Sequence, residues 1–211
     1  MQLEEFLMSA PVQKLEGTIL DRVETGESHL RISLFSGKYG LRVVLFRVSK
    51  QARAHPPPDL YDDVEFVTRK SRDGQGLPFV KDFQILNKRS EIAYSHFRFQ
   101  VASSLARLFL ENGSHLQDTL PFGQLFLRSF NALQNGLDPA SIWLKSLFQF
   151  GRIEGLPVQQ DWLASLEQKD KEFAILILNS PLNEKFPAQD RVVYIVESLR
   201  GWLNAETELK C

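Results

Sequence analysis

The residues His29-Leu30-Arg31-Ile32-Ser33-Leu34 alternate polar and apolar side chains one by one. Successive side chains of a β-strand point to opposite faces, so the two leucines and the isoleucine share one face and the polar residues share the other. This period of two predicts a half-buried strand whose aliphatic face lies on a hydrophobic core.

Four further short runs of this kind occur in the first ninety residues, at 14–20, 41–48, 64–69 and 79–86. Turn-forming glycines and prolines separate them, as between strands of a compact β domain. Five short strands with little helical periodicity between them predict a small barrel, for which the five-stranded OB-fold is the first choice. An SH3-like barrel is the alternative.

The period becomes helical from Ser90 onward. Helices are predicted at about 93–110, 121–134, 161–168, 171–178 and 188–203, and a further one begins at Asp138-Pro139, an N-cap aspartate followed by a first-turn proline. The predicted fold class is therefore α+β. An OB-fold-like β-barrel over residues 1–89 is followed by an all-α helical domain over residues 90–211.

The distribution of charge is uneven along the chain. The whole sequence has 25 basic and 26 acidic residues, yet no carboxylate lies between Glu27 and Asp59. That stretch contains six cations, namely Arg31, Lys38, Arg42, Arg47, Lys50 and Arg53. Such a local concentration indicates a strip that binds a nucleic-acid backbone. The alternative is a solvated sheet face whose acids lie on neighbouring strands.

Aromatic residues interleave with these cations, and single-stranded nucleic acid binds to cationic grooves with rings that stack on bases. At least half of the barrel aromatics must fill the core. Tyr39, in a glycine-bounded turn beside Lys38, is the preferred stacking candidate, although it can equally pack over the barrel mouth. A second basic cluster occupies a predicted hairpin tip. The candidate DNA-binding residues are Arg31, Lys38, Tyr39, Arg42, Arg47, Lys50, Arg53, Arg69, Lys70 and Arg72.

Several classes of function find no support in the sequence. Phosphate-binding loops and catalytic motifs are absent, so we expect no enzyme and no cofactor. The four histidines are scattered and the single cysteine is Cys211, so neither a metal site nor an internal disulfide is expected. No apolar run is long enough for a membrane span, and the acidic N-terminus is unlike a signal peptide. A cytoplasmic protein is expected.

Motifs along the chain resemble the RecO family of bacterial recombination mediators. The family's opening strand is similar to EGTIL at residues 16–20, and its next stretch is similar to GESHLRISLFS at residues 26–36, followed by Lys38-Tyr39-Gly40. In the helical part, residues 93–108 and 125–133, with GLDP at 136–139, resemble the family's helices and the loop after them. The likeness covers about residues 15–202, and the order and spacing of the motifs support it.

The resemblance implies a non-catalytic DNA-repair protein. It would bind single- and double-stranded DNA, anneal strands, and act with RecR to load the RecA recombinase onto DNA coated with single-strand-binding protein, associating with the nucleoid when active. The helical domain would receive the acidic and hydrophobic tail of that coating protein. This requires a cation beside an apolar groove, and the candidates are Arg107, Arg128, Lys145 and Arg152.

Two departures from the family are visible. The family's basic run after the second strand reads FRVSKQAR at residues 46–53, which retains cations but lacks the glycine and the adjacent arginine pair. The stretch corresponding to the four-cysteine zinc module of many members, near residues 156–169, has no cysteine, which implies a zinc-free form. The competing hypothesis is an OB-fold protein-interaction adaptor that binds no nucleic acid.

Overall fold

The structure, a computed structural model, describes residues 12–48, 56–70, 76–186 and 188–211. Within these ranges the fold is α+β, with five strands followed by six α-helices. The strands are β1 (Val12–Thr25), β2 (His29–Ser36), β3 (Gly40–Arg47), β4 (Asp63–Arg69) and β5 (Phe79–Asn87). The helices are α1 (His96–Asn112), α2 (Thr119–Gln134), α3 (Pro139–Ile153), α4 (Trp162–Ser165), α5 (Gln168–Asn179) and α6 (Gln189–Glu206), and a 3-10 helix at Ser90–Tyr94 precedes α1.

The five-stranded sheet closes on itself in the order β1-β2-β3-β5-β4. All neighbouring strands are antiparallel except β3 and β5, which are parallel. Strand β1 extends further than the expected residues 14–20, because its first half pairs with β4 and its second half with β2. A register shift between Ile19 and Asp21 marks the point where β1 changes partner.

The aliphatic face predicted for β2 is buried, as expected, but Ser33 on the opposite face is buried as well, so the polar face of residues 29–34 is accessible only at His29 and Arg31. Ile32 and Leu34 pack with Val44 and Phe66, all with no exposed surface, in the core of the sheet. Gly17 of β1 is required by this packing. A Cβ atom there would lie 2.6 Å from the carbonyl oxygen of Phe35, closer than any side chain tolerates.

The helical region is organised around α3 and a cluster of buried phenylalanines. The Phe109 ring contacts those of Phe126 and Phe150, with centroids 4.8 and 5.3 Å apart. The predicted start of α3 is confirmed, since the Asp138 carboxylate accepts a 2.9 Å hydrogen bond from the Ser141 amide and Pro139 begins the helix. A helix was expected at 161–168, and the structure has there the four-residue helix α4.

The chain divides into two compact units, Met1–Lys88 and Arg89–Cys211. Arg89 begins the second unit as a buried cation, and its guanidinium donates 2.8 Å hydrogen bonds to Asn131 and Gln134 of α2. These bonds fix the start of the helical unit on its own second helix. In the part of the chain that the structure describes, no helix has the length and apolar character needed to cross a membrane.

Candidate nucleic-acid interface

A row of side chains crosses the outer face of the sheet. Arg31 of β2 lies opposite Leu45 of β3, which lies opposite Phe79 of β5. Phe79 in turn lies opposite Arg69 of β4. Residues paired in this way project from the same face of a sheet. The chain neighbours of Arg31 are the core residues Leu30 and Ile32, so the row projects away from the core.

The adjoining row extends this outer surface. His29 lies opposite Arg47, and the His29 ring meets the Phe79 ring edge-on with centroids 6.2 Å apart. Phe79 is 39% exposed, a large fraction for a phenylalanine flanked by paired strands. Surfaces that bind single-stranded nucleic acid combine exposed rings, which stack on bases, with cations that contact phosphates. We call the four residues of the first row together with Arg47 of the adjoining row the outer row. Its members are Arg31, Leu45, Arg47, Phe79 and Arg69.

Within the described ranges, the cations of the outer row have no acidic partner. Among the described residues, Arg31, Arg47 and Arg69 form no salt bridge. The acids of the neighbouring strand and loop have other partners: Glu65 binds Lys14 at 2.9 Å and Asp59 binds Arg22 at 2.7 Å. Within the described residues, these three arginines are therefore exposed or half-exposed cations with no acid in ion-pair contact.

Of the other candidate cations, the structure describes Arg42 and Lys70 in this part of the chain, in addition to Lys38. Arg42 lies opposite the buried Leu34, on the alternating set that faces the core, yet it is exposed, and its guanidinium donates a 2.9 Å hydrogen bond to the Leu41 carbonyl. Lys70 is exposed just after β4. The candidates Lys50, Arg53 and Arg72 lie outside the described residues.

Tyr39 is less available for stacking than its sequence position suggests. The ring packs against the hydrophobic core of the sheet, and the Lys38 ammonium lies 5.0 Å from its centroid. A hydrogen bond with Lys38 lowers the pKa of the Tyr39 hydroxyl below its usual value. Tyr39 and Lys38 therefore form a local pair at the β2–β3 turn, while the exposed ring of this surface is Phe79, which was not among the candidates.

A cavity of about 370 Å³ lies in the helical unit. Its lining combines aliphatic side chains, two cations and three serines, and the hydroxyl oxygens of Ser129 and Ser146 lie 2.7 Å apart. The lining residues are Leu125, Arg128, Ser129, Ile142, Lys145, Ser146, Gln149, Leu178, Ser180, Pro181 and Leu182. They come from α2, α3, the end of α5 and the segment that follows it.

Two of the four cations proposed for a partner site line this cavity, and two do not. Lys145 donates a hydrogen bond to the Ser180 carbonyl, and burial lowers the pKa of its ammonium, with Glu184 opposing that shift. Arg128 is exposed beside it. By contrast, Arg107 forms an exposed ion pair with Glu111 at 2.7 Å, and Arg152 is exposed in the last turn of α3.

Comparison with known proteins leaves the family open. No family model matches the sequence, and no curated protein matches it. Within the described ranges, no group of three histidine, cysteine or acidic side chains is placed to hold a metal ion.

Proposed function

We propose that this protein is a non-catalytic DNA-binding protein of recombinational repair, of the RecO type. One observation above all supports this function: in the outer row an exposed phenylalanine lies between arginines that, among the described residues, have no acidic partner. Counterion release from phosphates contacted by these arginines would supply much of the affinity. Neutralising the backbone also allows two complementary strands to approach, which annealing requires.

The strand order supports an OB-fold assignment for the first unit. A closed five-stranded sheet of order β1-β2-β3-β5-β4, with its one parallel pair between β3 and β5, is the arrangement expected of an OB-fold. OB-folds bind oligonucleotides on the face of strands 2 and 3 and on the loops that border it. The arginines of β2 and β3 in the outer row occupy that face.

Replacement of Phe79 tests the stacking surface directly. Phe79→Ala is expected to weaken binding of a labelled single-stranded 30-mer by about 1–3 kcal/mol, at least about fivefold in Kd, because one base loses its stacking partner. Phe79→Tyr is the matched control, since it keeps a ring at the same position and should bind within about twofold of the unchanged protein. Fluorescence anisotropy at fixed salt measures both. Equal affinities for all three proteins would remove Phe79 from the interface.

The cavity of the helical unit supports a role in recruiting a protein partner, as the mediator function demands. Arg128 and Lys145 place positive charge beside Leu125, Ile142 and Leu178. A peptide whose acidic residues precede an apolar C-terminus matches that pattern, which is the chemistry of the single-strand-binding protein tail. RecR and RecA would be further partners of a mediator acting in the cytoplasm at the nucleoid.

If the cavity is the partner site, two double variants that each remove two cations should differ in their effect on peptide binding. Arg128→Gln with Lys145→Gln is expected to weaken binding of a fluorescein-labelled Asp-Asp-Asp-Leu-Phe peptide by about tenfold or more, because its carboxylates lose the partly buried Lys145 and the neighbouring exposed Arg128 as partners. Arg107→Gln with Arg152→Gln removes the same charge away from the cavity and should change the affinity by less than about twofold. Titration followed by anisotropy compares the pairs, and similar losses in both would contradict the assignment.

Under the adaptor hypothesis the protein would use the same cavity, but its first unit would not bind nucleic acid. An adaptor would bind the peptide but not the DNA, so the two binding assays on the same preparation distinguish the two functions.

A further inference from the structure

A second groove lies in the helical unit, with a volume of about 450 Å³. Its walls come from three places where a helix ends: Asn112–Leu116 after α1, Glu154–Leu156 after α3, and Glu206–Leu209 after α6. None of the residues lining the cavity at Arg128 and Lys145 belongs to it. The proposed mediator function does not use this groove.

The groove is negatively charged for two separate reasons. Three carboxylates, those of Glu154, Glu206 and Glu208, line it, and no lysine or arginine does. Among the described residues none of these three carboxylates has a hydrogen bond or a salt bridge. In addition, α1, α3 and α6 all end at the groove, and the C-terminal end of a helix has a partial negative charge.

The groove also has an apolar surface. Leu116, Leu156 and Leu209 line it together with the three acids. Aliphatic side chains beside unpaired carboxylates suit a ligand that has methylene groups and positive charge together, as arginine and lysine side chains do.

One wall is held in place by side-chain hydrogen bonds. The buried Asn112 amide donates to the Lys210 carbonyl at 2.9 Å and accepts from the Lys210 amide at 3.2 Å. Thr207 caps α6 by donating to the Leu203 carbonyl at 2.6 Å. The segment after α6 is thus fixed on α1, so the groove is already formed in the free protein and would not have to order its wall on binding.

We propose that this groove binds a basic segment of a partner protein, with arginine or lysine side chains next to an aliphatic residue. Charge complementarity selects this occupant, because three unpaired carboxylates and three helix C-termini would repel an acidic peptide or a nucleic-acid backbone. The partner is therefore distinct from the two ligands of the proposed function. The protein would hold a basic protein segment at one place while its outer row holds DNA at another.

The test uses a fluorescein-labelled peptide of four Arg-Leu repeats, with four Arg-Gly repeats as the probe that lacks apolar side chains. We expect the Arg-Leu peptide to bind the full chain and the Arg-Gly peptide to bind at least about fivefold more weakly. Glu154→Gln, Glu206→Gln and Glu208→Gln together should weaken binding of the Arg-Leu peptide by about fivefold or more. Glutamine keeps the size of each side chain, and these exposed positions are not part of the core.

The matched control removes three acids elsewhere on the helical unit. Glu167→Gln, Glu172→Gln and Asp190→Asn make the same change in net charge at exposed positions outside the groove. We expect less than a twofold change for this variant. An equal loss in both triple variants would reduce the binding to general charge attraction and overturn the proposal. The absence of binding would also overturn the proposal. A wild-type dimer that dissociates in the groove variant would overturn it as well, because the groove would then bind a second copy of the chain. DNA binding, measured separately, remains unaffected by any of these outcomes.

Discussion

Reversal of charge at Arg31 and Arg47 together is expected to weaken binding of a single-stranded 30-mer by more than about tenfold at moderate salt. Both side chains are exposed, and they lie on the paired strands β2 and β3, on the face that Phe79 shares. Each Arg→Glu change removes a phosphate contact and adds a repelling carboxylate. The fold should be unaffected, because neither arginine belongs to the core or to a salt bridge among the described residues.

The control for this variant makes the same change in net charge in the other unit of the chain. Lys169→Glu with Lys185→Glu alters exposed lysines of the helical unit. At an ionic strength where charges are screened beyond about 10 Å, the change in net charge alone should lower the affinity of this control variant by no more than about threefold. If the control lost as much affinity as Arg31→Glu with Arg47→Glu, net charge and not the outer row would account for binding.

A large loss of stability is expected from Phe109→Ala in the helical unit. Phe109 is fully buried, and its ring contacts those of Phe126 and Phe150. Truncation removes those contacts and leaves a cavity, so the free energy of unfolding should fall by about 3–5 kcal/mol. Urea unfolding followed by circular dichroism at the helical band measures the change.

Phe97→Ala is the matched variant on the same helix. Phe97 lies three turns earlier on α1 and is 40% exposed, so its truncation should lower the free energy of unfolding by no more than about 1.5 kcal/mol. Equal losses for the two variants would mean that the phenylalanine cluster is not the centre of the helical core.

Local patterns in the sequence are enough to predict that the aliphatic face of β2 is buried and where α3 begins, but not that Ser33 on the other face is buried too. Alternation in a strand is a property of adjacent residues, so burial of Leu30 and Ile32 also places Arg31 on the outer face. The Asp138-Pro139 cap likewise acts within one turn of helix.

The exposure of Phe79 could not be predicted in this way. Phe79 and Phe83 are four residues apart, and strict alternation would put both rings on one face. A register shift in the pairing of β4 with β5 places Val80 opposite Thr68 and Asp82 opposite Val67, so Lys81 is an extra residue. This bulge reverses the alternation, leaving Phe83 packed on the core and Phe79 outside. The bulge depends on pairing between strands distant in sequence.

Local sequence patterns also could not show which of the four candidate cations in the helical unit line a cavity. Arg107 and Arg128 are both exposed helix residues of similar sequence context. The cavity that includes Arg128 and Lys145 is formed by two helices and by residues 178–182, which come together only in the folded unit. Similarly, the acidic groove depends on three helix ends that are far apart in the chain.

The salt dependence of single-stranded DNA binding tests the central claim most directly. Fluorescence anisotropy of a labelled 30-mer, titrated across a salt series, gives the slope of log affinity against log salt. If the three arginines of the outer row contact phosphates, the slope should be roughly −2, and Arg31→Glu with Arg47→Glu should make it shallower by about 1.4. No binding at low salt, or a slope that the double variant leaves unchanged, would contradict a DNA-binding role for the outer row.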